Sequence, residues 1–309
     1  MRHATRQIRI RLPQSLGGLD PALVPPRVRR FELDLPRRAG GGQSGPSTLR
    51  ITAPGDYWVP KRLQQNGLAE YEPETLACFL AAVEHARPGA VLDIGANVGV
   101  YAALAAARSR RKVYAFEPTP QIAETARAIA ADNDLDIEVV EIALSNHSGT
   151  DPLRLSATTD ASNSLAAGFR PELGRIPVTV DMMSHWREEA GIVPSVLKID
   201  TEATEPDVIA GGLEVLRRFR PWVFCEVMSY QGIDERLMAL LEPLHYHWYH
   251  LTGVPPYRPR QVISGHGAIP RQRMWLFAPE PVPDRMWDTA RAWREAIDSR
   301  PEDHPIRTT

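Results

Sequence analysis

The chain has 309 residues, of which 43% are hydrophobic and 24% are charged, and its formal net charge at pH 7 is −2. This length and apolar content suffice for one large folded core. Because neither sign of charge dominates, the composition argues against nucleic acid or an anionic membrane surface as a partner. The longest apolar run, residues 98–107, is too short to cross a bilayer, and the basic start is not followed by an apolar stretch. We therefore expect a cytoplasmic protein.

Residues 1–70 are predicted to form an N-terminal arm and cap. Up to about residue 50 this segment is rich in Arg, Pro and Gly, a composition that buries little apolar surface, so we expect it to be loosely attached and partly flexible. Its basic residues could bind RNA, but they are not interleaved with aromatic residues, and a solvated surface is the preferred interpretation. Tyr57 and Trp58 are expected to anchor the arm by packing, with stacking on a sugar ring as the alternative.

Residues 71–280 alternate between strand-like and helix-like patterns. Helical spacing runs from Pro73 to the stop signal at Pro88 and Gly89. The next predicted elements are strand 90–94, helix 98–108, strand 112–117, helix 120–132 and strand 137–143. Two short β-like runs, 152–156 and 176–180, are interpreted as an insertion above the sheet. The alternation resumes with strand 196–200, helix 205–219, strand 222–228, helix 234–241, and strands 246–251 and 273–278.

Strands that alternate with helices predict an α/β fold with a doubly wound, mostly parallel sheet, and we assign residues 71–280 to that domain. Residues 281–309 are predicted to form a C-terminal helix and tail, with Trp287 and Trp293 packed on the domain. Cys78 and Cys225 lie far apart without a CxxC pair, so we interpret both as buried apolar residues rather than a disulfide.

The segment from residue 91 to residue 101 gives the clearest indication of a ligand site. An apolar strand runs into a turn with Gly95 and Gly99, where the missing side chains permit a sharp bend and the close approach of a ligand. Asp93, at the carboxyl end of the strand, can hold a positively charged amino group. The alternative is an ordinary strand–helix turn with a buried aspartate.

Glu117 ends the next predicted strand, 117 − 99 = 18 residues after Gly99. A carboxylate at this place accepts hydrogen bonds from both hydroxyls of a ribose, although an exposed acid at a strand end is the simpler alternative. A nicotinamide dinucleotide would use the same carboxylate, but its pyrophosphate requires GxGxxG spacing. The chain has DxGxNxG, with Ala96 and Asn97 where the middle glycine would be needed. A nucleoside cofactor with an amino-acid end and no phosphate therefore fits better.

Motifs over residues 71–278 resemble those of the FkbM family of S-adenosylmethionine-dependent methyltransferases. The matching segments are VLDIGANVG (91–99), AFEP (115–118), Asn133 at a helix end, ALSNHSGT (143–150), NSL (163–165), LKIDTEATEPDVIAGG (197–212) and RPWVFCEV (220–227). The resemblance implies a seven-stranded, Rossmann-like class I methyltransferase fold, S-adenosylmethionine as cofactor, and O-methylation of a small molecule of the sugar or natural-product type. The family's usual KIDVEGxE is altered, because Thr201 replaces Val and Ala203 replaces Gly. If that glycine has positive φ, Ala203 implies a modestly different turn.

The resemblance also implies roles for single residues at the cofactor end. The methionine part of the cofactor would be lined by Asp93, Gly95, Asn97 and Gly99, the ribose by Glu117, and the adenine edge by Ala143. Asn163 and Ser164 would position the acceptor or the cofactor, although both residue types also favour plain turns. His245 and His247 share one face of a predicted strand while His250 points to the other, so no metal site is expected there or elsewhere.

Lys198 and Asp200 are expected at the acceptor side, because they share a face at the carboxyl end of one strand, with Glu202 just beyond it. In-line methyl transfer requires alignment of two atoms and removal of a proton, so these three residues form the predicted catalytic group, with Asp200 or Glu202 as the base. The alternative is that Asp200 only caps the following loop, and that Glu202 and Glu205 only cap the helix that begins at Glu205. Glu226 and His266 are further candidates for contact with the acceptor.

Two other functions remain open at this point. A nicotinamide-dependent oxidoreductase is disfavoured by the missing middle glycine and by the lack of a helical Tyr-xxx-Lys pair. A non-catalytic relative that binds the cofactor or a partner protein would agree with the altered segment at Ala203 and Thr204. The expected partner is a small-molecule acceptor, with no nucleic acid and no membrane, and the sequence leaves homodimer formation open.

Overall fold

A computed structural model of the chain describes residues 27–38, 45–266 and 272–299. The first part of the predicted arm, residues 1–26, and the tail from residue 300 lie outside this range. Within these residues, none of the helices combines the length and the hydrophobicity that crossing a bilayer requires.

The described residues form thirteen strands and nine α-helices. The strands are β1 (Val28–Asp34), β2 (Thr48–Pro54), β3 (Ala90–Ile94), β4 (Val113–Phe116), β5 (Ile137–Val140), β6 (Ala143–Ser145), β7 (Gly149–Ser156), β8 (Glu172–Met182), β9 (Pro194–Ile199), β10 (Trp222–Glu226), β11 (His247–His250), β12 (Pro259–Arg260) and β13 (Met274–Ala278). The helices are α1 (Trp58–Asn66), α2 (Pro73–His85), α3 (Val100–Arg108), α4 (Pro120–Asp132), α5 (Met183–Ala190), α6 (Glu205–Gly211), α7 (Leu213–Phe219), α8 (Ile233–Leu241) and α9 (Asp284–Asp298).

The central sheet has eight strands in the order β12-β11-β13-β10-β9-β3-β4-β5. The five strands from β10 to β5 are mutually parallel, and β13 is antiparallel to β10. These strands are apolar and fully buried at the centre, as strands covered by helices on both faces must be. The predicted doubly wound, mostly parallel sheet is confirmed, with the short β12 as an eighth strand beside the predicted seven.

The chain reverses its direction across this sheet between β3 and β9. From β3 it proceeds outward through β4 to β5, and it later returns to the other side of β3 to form β9 and β10. Loops that leave the carboxyl ends of β3 and β9 therefore diverge and open a crevice, which is where open α/β sheets bind their ligands.

The region after β5 departs from the predicted elements. The predicted strand 137–143 is divided between β5, in the central sheet, and β6, which belongs to a separate three-stranded sheet in the order β6-β8-β7. The predicted helix 205–219 is broken at Gly212 into α6 and α7. A β-carbon on Gly211 would lie 1.9 Å from the carbonyl oxygen of Ser145, so the break accompanies a close approach of α6 to β6.

Residues 28–34 and 48–54 also differ from the prediction, because they form two packed strands. β1 and β2 form an antiparallel hairpin, and its alternate side chains, Phe31, Leu33, Leu49 and Ile51, are buried in the main core. The hairpin is joined to α4 by two hydrogen bonds between the Arg50 backbone and the Asn133 side chain, at 2.7 and 2.8 Å. The prediction of a loosely attached arm is therefore wrong for this segment.

The predicted C-terminal helix is confirmed as α9. Trp287 and Trp293 are buried against the domain, and the Trp293 indole N–H donates to Glu84 Oε1 at 2.7 Å, which satisfies its buried polar group. Cys78 and Cys225 are both buried and unpaired, as expected.

Candidate active site

A cleft lies at the carboxyl ends of β3, β4 and β9 and is covered by the segment that joins β7 to β8. Eight of the predicted site residues line it: Gly95, Asn97, Glu117, Ala143, Asn163, Ser164, Asp200 and Glu202. The five others, Asp93, Gly99, Lys198, Glu226 and His266, are not among its lining residues. The structure thus gathers most of the predicted residues in one place, although their predicted roles stay predictions.

Asp93 lies beneath the cleft and is 1% exposed. Its Oδ2 accepts a hydrogen bond from the backbone N–H of Ala102 at 3.0 Å, in the first turn of α3, where a negative charge is favourable. Its Oδ1 is buried and has no hydrogen-bond partner among the described residues. Burial raises the pKa of Asp93 to about 6, and the nearby Lys198 ammonium opposes that shift.

The turn after β3 has three residues in the left-handed region: Gly95 at φ +76°, Asn97 at φ +50° and Gly99 at φ +81°. A β-carbon on Gly95 would stand 1.9 Å from the carbonyl oxygen of Asp200, so only glycine permits the close contact between the β3 and β9 loops. Asparagine tolerates the left-handed region better than most residues. Gly99 precedes the first residue of α3.

Glu117 is held at the end of β4 by backbone donors from two different loops. The N–H of Asn97 donates to Oε2 at 3.0 Å, and the N–H of Thr119 donates to Oε1 at 2.8 Å. Each carboxylate oxygen keeps a further lone pair for a ligand hydroxyl. The residue is 6% exposed, and burial raises its pKa to about 6. The carboxylate is therefore fixed in place, as a ribose acceptor has to be.

Asn163 and Ser164 both line the cleft and both hold turns. The Asn163 Oδ1 accepts from the N–H of Ser156 at 2.9 Å, and its Nδ2 donates to Thr119 Oγ1 at 3.4 Å. The Ser164 hydroxyl donates to the carbonyl of Glu202. These bonds tie the small sheet to the loops that follow β4 and β9.

Lys198 is a buried cation near the carboxyl end of β9, below the cleft. Its Nζ lies 2.8 Å from Asp200 Oδ2 and 4.7 Å from the centre of the Tyr101 ring. Burial would lower the pKa of this ammonium, but Asp200, Asp93 and Glu72 outweigh it and raise the pKa above its ordinary value. The Tyr101 hydroxyl donates to Glu72 Oε2 at 2.6 Å. Sequence reasoning missed Glu72, which reaches this network from the start of α2.

Asp200, Glu202 and Glu226 form a carboxylate cluster in which one oxygen of each lies within 4.8 Å of the others. Arg170 Nη2 is 3.6 Å from Glu202 Oε2, and Arg273 Nη1 is 3.6 Å from Glu226 Oε1. Burial, together with Asp200, raises the pKa of Glu202 to about 8. The same causes raise the pKa of Glu226 well above its usual range. Within this cluster, the pKa of Glu202 therefore lies close to neutral pH.

Glu205 acts as a cap, which the sequence offered as an alternative role for the acids of this segment. It is fully buried, and its Oε1 accepts from the N–H groups of Thr201 at 2.9 Å and Ala203 at 3.3 Å. Within this turn Glu202 has φ +57° and Ala203 has φ +82°. The alanine thus adopts a conformation that costs a side-chain-bearing residue about 1–2 kcal/mol and that glycine adopts freely.

His266 lies away from the cleft lining. It is exposed, and its Nδ1 is 2.9 Å from the hydroxyl of Ser229. One cleft residue that sequence reasoning missed is Asp160, in the covering segment, which accepts the N–H of Trp58 at 2.8 Å. Its polar neighbours Thr158 and Thr159 gave no pattern that would distinguish it from a loop aspartate.

A doubly wound sheet whose crevice carries an anchored carboxylate at the end of β4, beside a turn without the dinucleotide glycine spacing, is typical of enzymes that bind a nucleoside cofactor without a pyrophosphate. Residues 93–249 match the family model of the methyltransferase FkbM domain. This is about half of the chain, and the chain belongs to that family. The resemblance found in the sequence is thereby confirmed.

Several solved methyltransferase structures are similar to this chain at low identity. The FkbM methyltransferase from Methylobacillus flagellatus KT is 13% identical with a TM-score of 0.40, over 62% of this chain and 43% of that chain. The precorrin-6y C5,15-methyltransferase from Geobacter metallireducens GS-15 is 11% identical with a TM-score of 0.36, over 65% of this chain and 87% of that chain. The S-adenosylmethionine-dependent methyltransferase from Agrobacterium tumefaciens is 10% identical with a TM-score of 0.37, over 79% of this chain and 72% of that chain. No curated protein sequence matches the chain.

Proposed function

We propose that this methyltransferase uses S-adenosylmethionine and transfers the methyl group to a hydroxyl oxygen of a small molecule of the sugar or natural-product type. The observation that supports the cofactor best is Glu117, a buried carboxylate that two backbone amides fix at the end of β4. It shares one cleft with the glycine turn and with Asp200 and Glu202. A ribose acceptor and proton acceptors thus lie within reach of one ligand.

The residues present fit the cofactor. Glu117 would accept the ribose hydroxyls, and the apolar residues Ile142, Ala143 and Leu153 would flank the adenine. Asn97, on the cleft wall, has a buried Oδ1 without a partner among the described residues. That oxygen would accept a hydrogen bond from the α-amino group at the amino-acid end of the cofactor. When bound, S-adenosylmethionine supplies a methyl group on a sulfonium.

Glu202 is the base in this proposal, and Asp200 positions the acceptor hydroxyl. Both line the cleft, but one oxygen of Asp200 is occupied by the Lys198 ammonium. Glu202, with a pKa of about 8, lies in the range where proton transfer is most effective near neutral pH. S-adenosylmethionine would supply the methyl group to the acceptor oxygen, and the Glu202 carboxylate would take the proton that this oxygen loses. The hydrogen bond from the Ser164 hydroxyl to the Glu202 backbone carbonyl holds the backbone of this base in place.

The cofactor is tested by calorimetric titration of the purified chain with S-adenosylhomocysteine and, separately, with NADH. We expect binding of the first alone. Glu117→Ala should weaken that binding by about 1–3 kcal/mol, because a carboxylate bonded to two hydroxyls is lost. Glu138→Ala, which removes an exposed carboxylate from the neighbouring strand β5, should leave it unchanged.

The outcomes separate the competing functions. Binding of NADH alone would replace the proposal by the oxidoreductase. Binding of neither ligand to a folded sample would favour the non-catalytic relative. For the acceptor, hydroxylated sugars and natural products are screened for S-adenosylhomocysteine release, and NMR of the product locates the new methyl group. A methyl group on nitrogen would reject O-methylation while keeping the cofactor.

A further inference from the structure

The covering segment of the cleft brings in a carboxylate oxygen that the protein itself leaves unused. Asp160 Oδ1 accepts the backbone N–H of Trp58 at 2.8 Å. Its Oδ2 is buried, and no donor among the described residues forms a hydrogen bond with it. Asp160 nevertheless lines the cleft. A buried carboxylate oxygen is costly unless a donor reaches it, so this oxygen points to a donor on the ligand.

The topology shows which part of the ligand that donor belongs to. Along the sheet edge the strands follow in the order β9, β3, β4 and β5, so the cleft runs from Asp200 past Gly95 to Glu117 and on to Ala143. With the ribose on Glu117 and the amino-acid end at β3, the base lies beyond Glu117, towards β5. Asp160 belongs to this end, because its segment contacts the loop after β4, where Asn163 Nδ2 donates to Thr119 Oγ1 at 3.4 Å.

The cleft wall at this end is mostly apolar, and its one amide side chain, Asn163, is engaged with the Ser156 N–H and the Thr119 hydroxyl. Ile142, Leu144 and Leu153 line it from the β5 side, and Ala161 lines it from the covering segment beside Asp160. These residues suit the faces of a flat purine ring but offer no side-chain hydrogen bond to its edge. Adenine carries a single kind of exocyclic donor, its amino group. Burial raises the pKa of Asp160 above its ordinary value, as expected for a carboxylate that lacks a full set of donors.

We propose that Asp160 Oδ2 accepts a hydrogen bond from the adenine amino group, so that this residue selects adenine and joins the cofactor to the Trp58 amide at the start of α1. The inference rests on the proposed use of S-adenosylmethionine. It makes Asp160 a specificity residue of the cofactor site, and it gives α1 a direct link to the bound nucleoside.

The test compares S-adenosylhomocysteine with S-inosylhomocysteine, in which a carbonyl oxygen replaces the amino group. The wild-type chain should prefer the adenosyl ligand, because a carboxylate repels a carbonyl oxygen. In Asp160→Asn the side-chain amide can donate to that carbonyl, so the preference should fall by roughly 10- to 100-fold, the value of one charged hydrogen bond. Asp151→Asn, in β7 outside the cleft lining, is the control and should keep the wild-type preference.

Every other pattern overturns the inference. An equal loss of both ligands in Asp160→Asn would make the residue a structural cap for Trp58, and an unchanged ratio would remove it from the site. A ribose hydroxyl is the alternative donor to Asp160, and S-adenosylhomocysteine with a 2′-deoxyribose tests it. If Asp160→Asn abolishes the preference for the ribose form over the deoxyribose form instead, the carboxylate binds the ribose. Failure of the wild-type chain to bind S-adenosylhomocysteine at all would reject the proposed function. Failure of the Asp160 inference alone would leave that binding intact, so the two results can be told apart.

Discussion

The two ends of the cleft hold their carboxylates in different ways. At the nucleoside end, Glu117 takes one backbone N–H on each oxygen. At the acceptor end, Asp200 and Glu226 are paired with the side chains of Lys198 and Arg273. Backbone donors are placed by the fold itself, whereas paired side chains share charge and protons among themselves. The end with Glu117 therefore has one hydrogen-bond acceptor in a fixed position, whereas the end with Asp200 has three neighbouring carboxylates whose charges interact.

The largest expected effect tests which acid of the carboxylate cluster is the base. Glu202→Gln should lower kcat by roughly 10²–10⁴-fold, the usual contribution of a positioned base, and should leave the affinity for S-adenosylhomocysteine unchanged. Because Glu202 must be ionised to act, and its pKa is about 8, wild-type kcat/KM should rise with pH until just above that value. Burial is the largest cause of this raised pKa; the charges of Asp200 and Glu205 add to it, and those of Arg170 and Arg273 oppose it.

Steady-state kinetics of the variant over a pH series measures both effects. Glu188→Gln, on the exposed side of α5, is the matched control and should behave as the wild type. If the kcat of Glu202→Gln stays at the wild-type value and that of Asp200→Asn falls, the base is Asp200, the carboxylate that is paired with Lys198.

The next effect is on stability and compares two lysine–aspartate pairs of the same length. Lys198–Asp200 and Lys112–Asp136 both measure 2.8 Å, but the Lys198 side chain is 5% exposed and the Lys112 side chain is 67% exposed. Lys198→Met should lower the free energy of unfolding by about 3–5 kcal/mol, because buried carboxylates lose their counter-charge. Lys112→Met should cause no measurable change. Urea denaturation measures both, and equal losses would contradict the assignment of Lys198 as the organising cation of the acceptor end.

Local patterns predicted those parts of the fold that local forces determine. Strand 90–94 and helix 120–132 have the predicted bounds, because an apolar run bounded by glycine and a proline at the first helical position are strong local signals. The hairpin of β1 and β2 was missed because the composition of the arm obscured the alternation of Phe31 with Leu33 and of Leu49 with Ile51.

The site residues show the same contrast between positions that local sequence signals predict and positions that they do not predict. Glu117 and Asp200 were predicted at the cleft because parallel strands end at one edge of the sheet, and Asp93, by the same reasoning, lies directly beneath it. Glu72 and Asp160 reach the cleft region from α2 and from the covering segment. Their positions depend on how these elements pack, and no spacing along the chain encodes that packing.

The smallest effect concerns the pH dependence of cofactor affinity at the nucleoside end. Glu117 has a pKa of about 6 in the ligand-free chain, and ribose hydroxyls donate only to its ionised form with full strength. Affinity for S-adenosylhomocysteine should therefore rise with pH through 6 and become flat above 7, with a loss of roughly tenfold at pH 5. Asp93, with a pKa also about 6, contributes with the same sign through the ligand ammonium.

Calorimetry from pH 5 to pH 7.5 measures this slope, and Glu117→Gln should reduce it, leaving the part due to Asp93 and Asp160. The stability of the ligand-free chain carries the opposite sign. Unfolded Glu117 ionises near its ordinary pKa of 4.5, so the folded chain holds the proton over a range in which the unfolded chain has lost it. On this residue alone, rising pH between these two pKa values should weaken the fold while it strengthens binding. The change that Glu117→Gln makes in each slope isolates this residue from Asp93 and Glu205, and changes of the same sign in both measurements would place the titrating group outside the cofactor end.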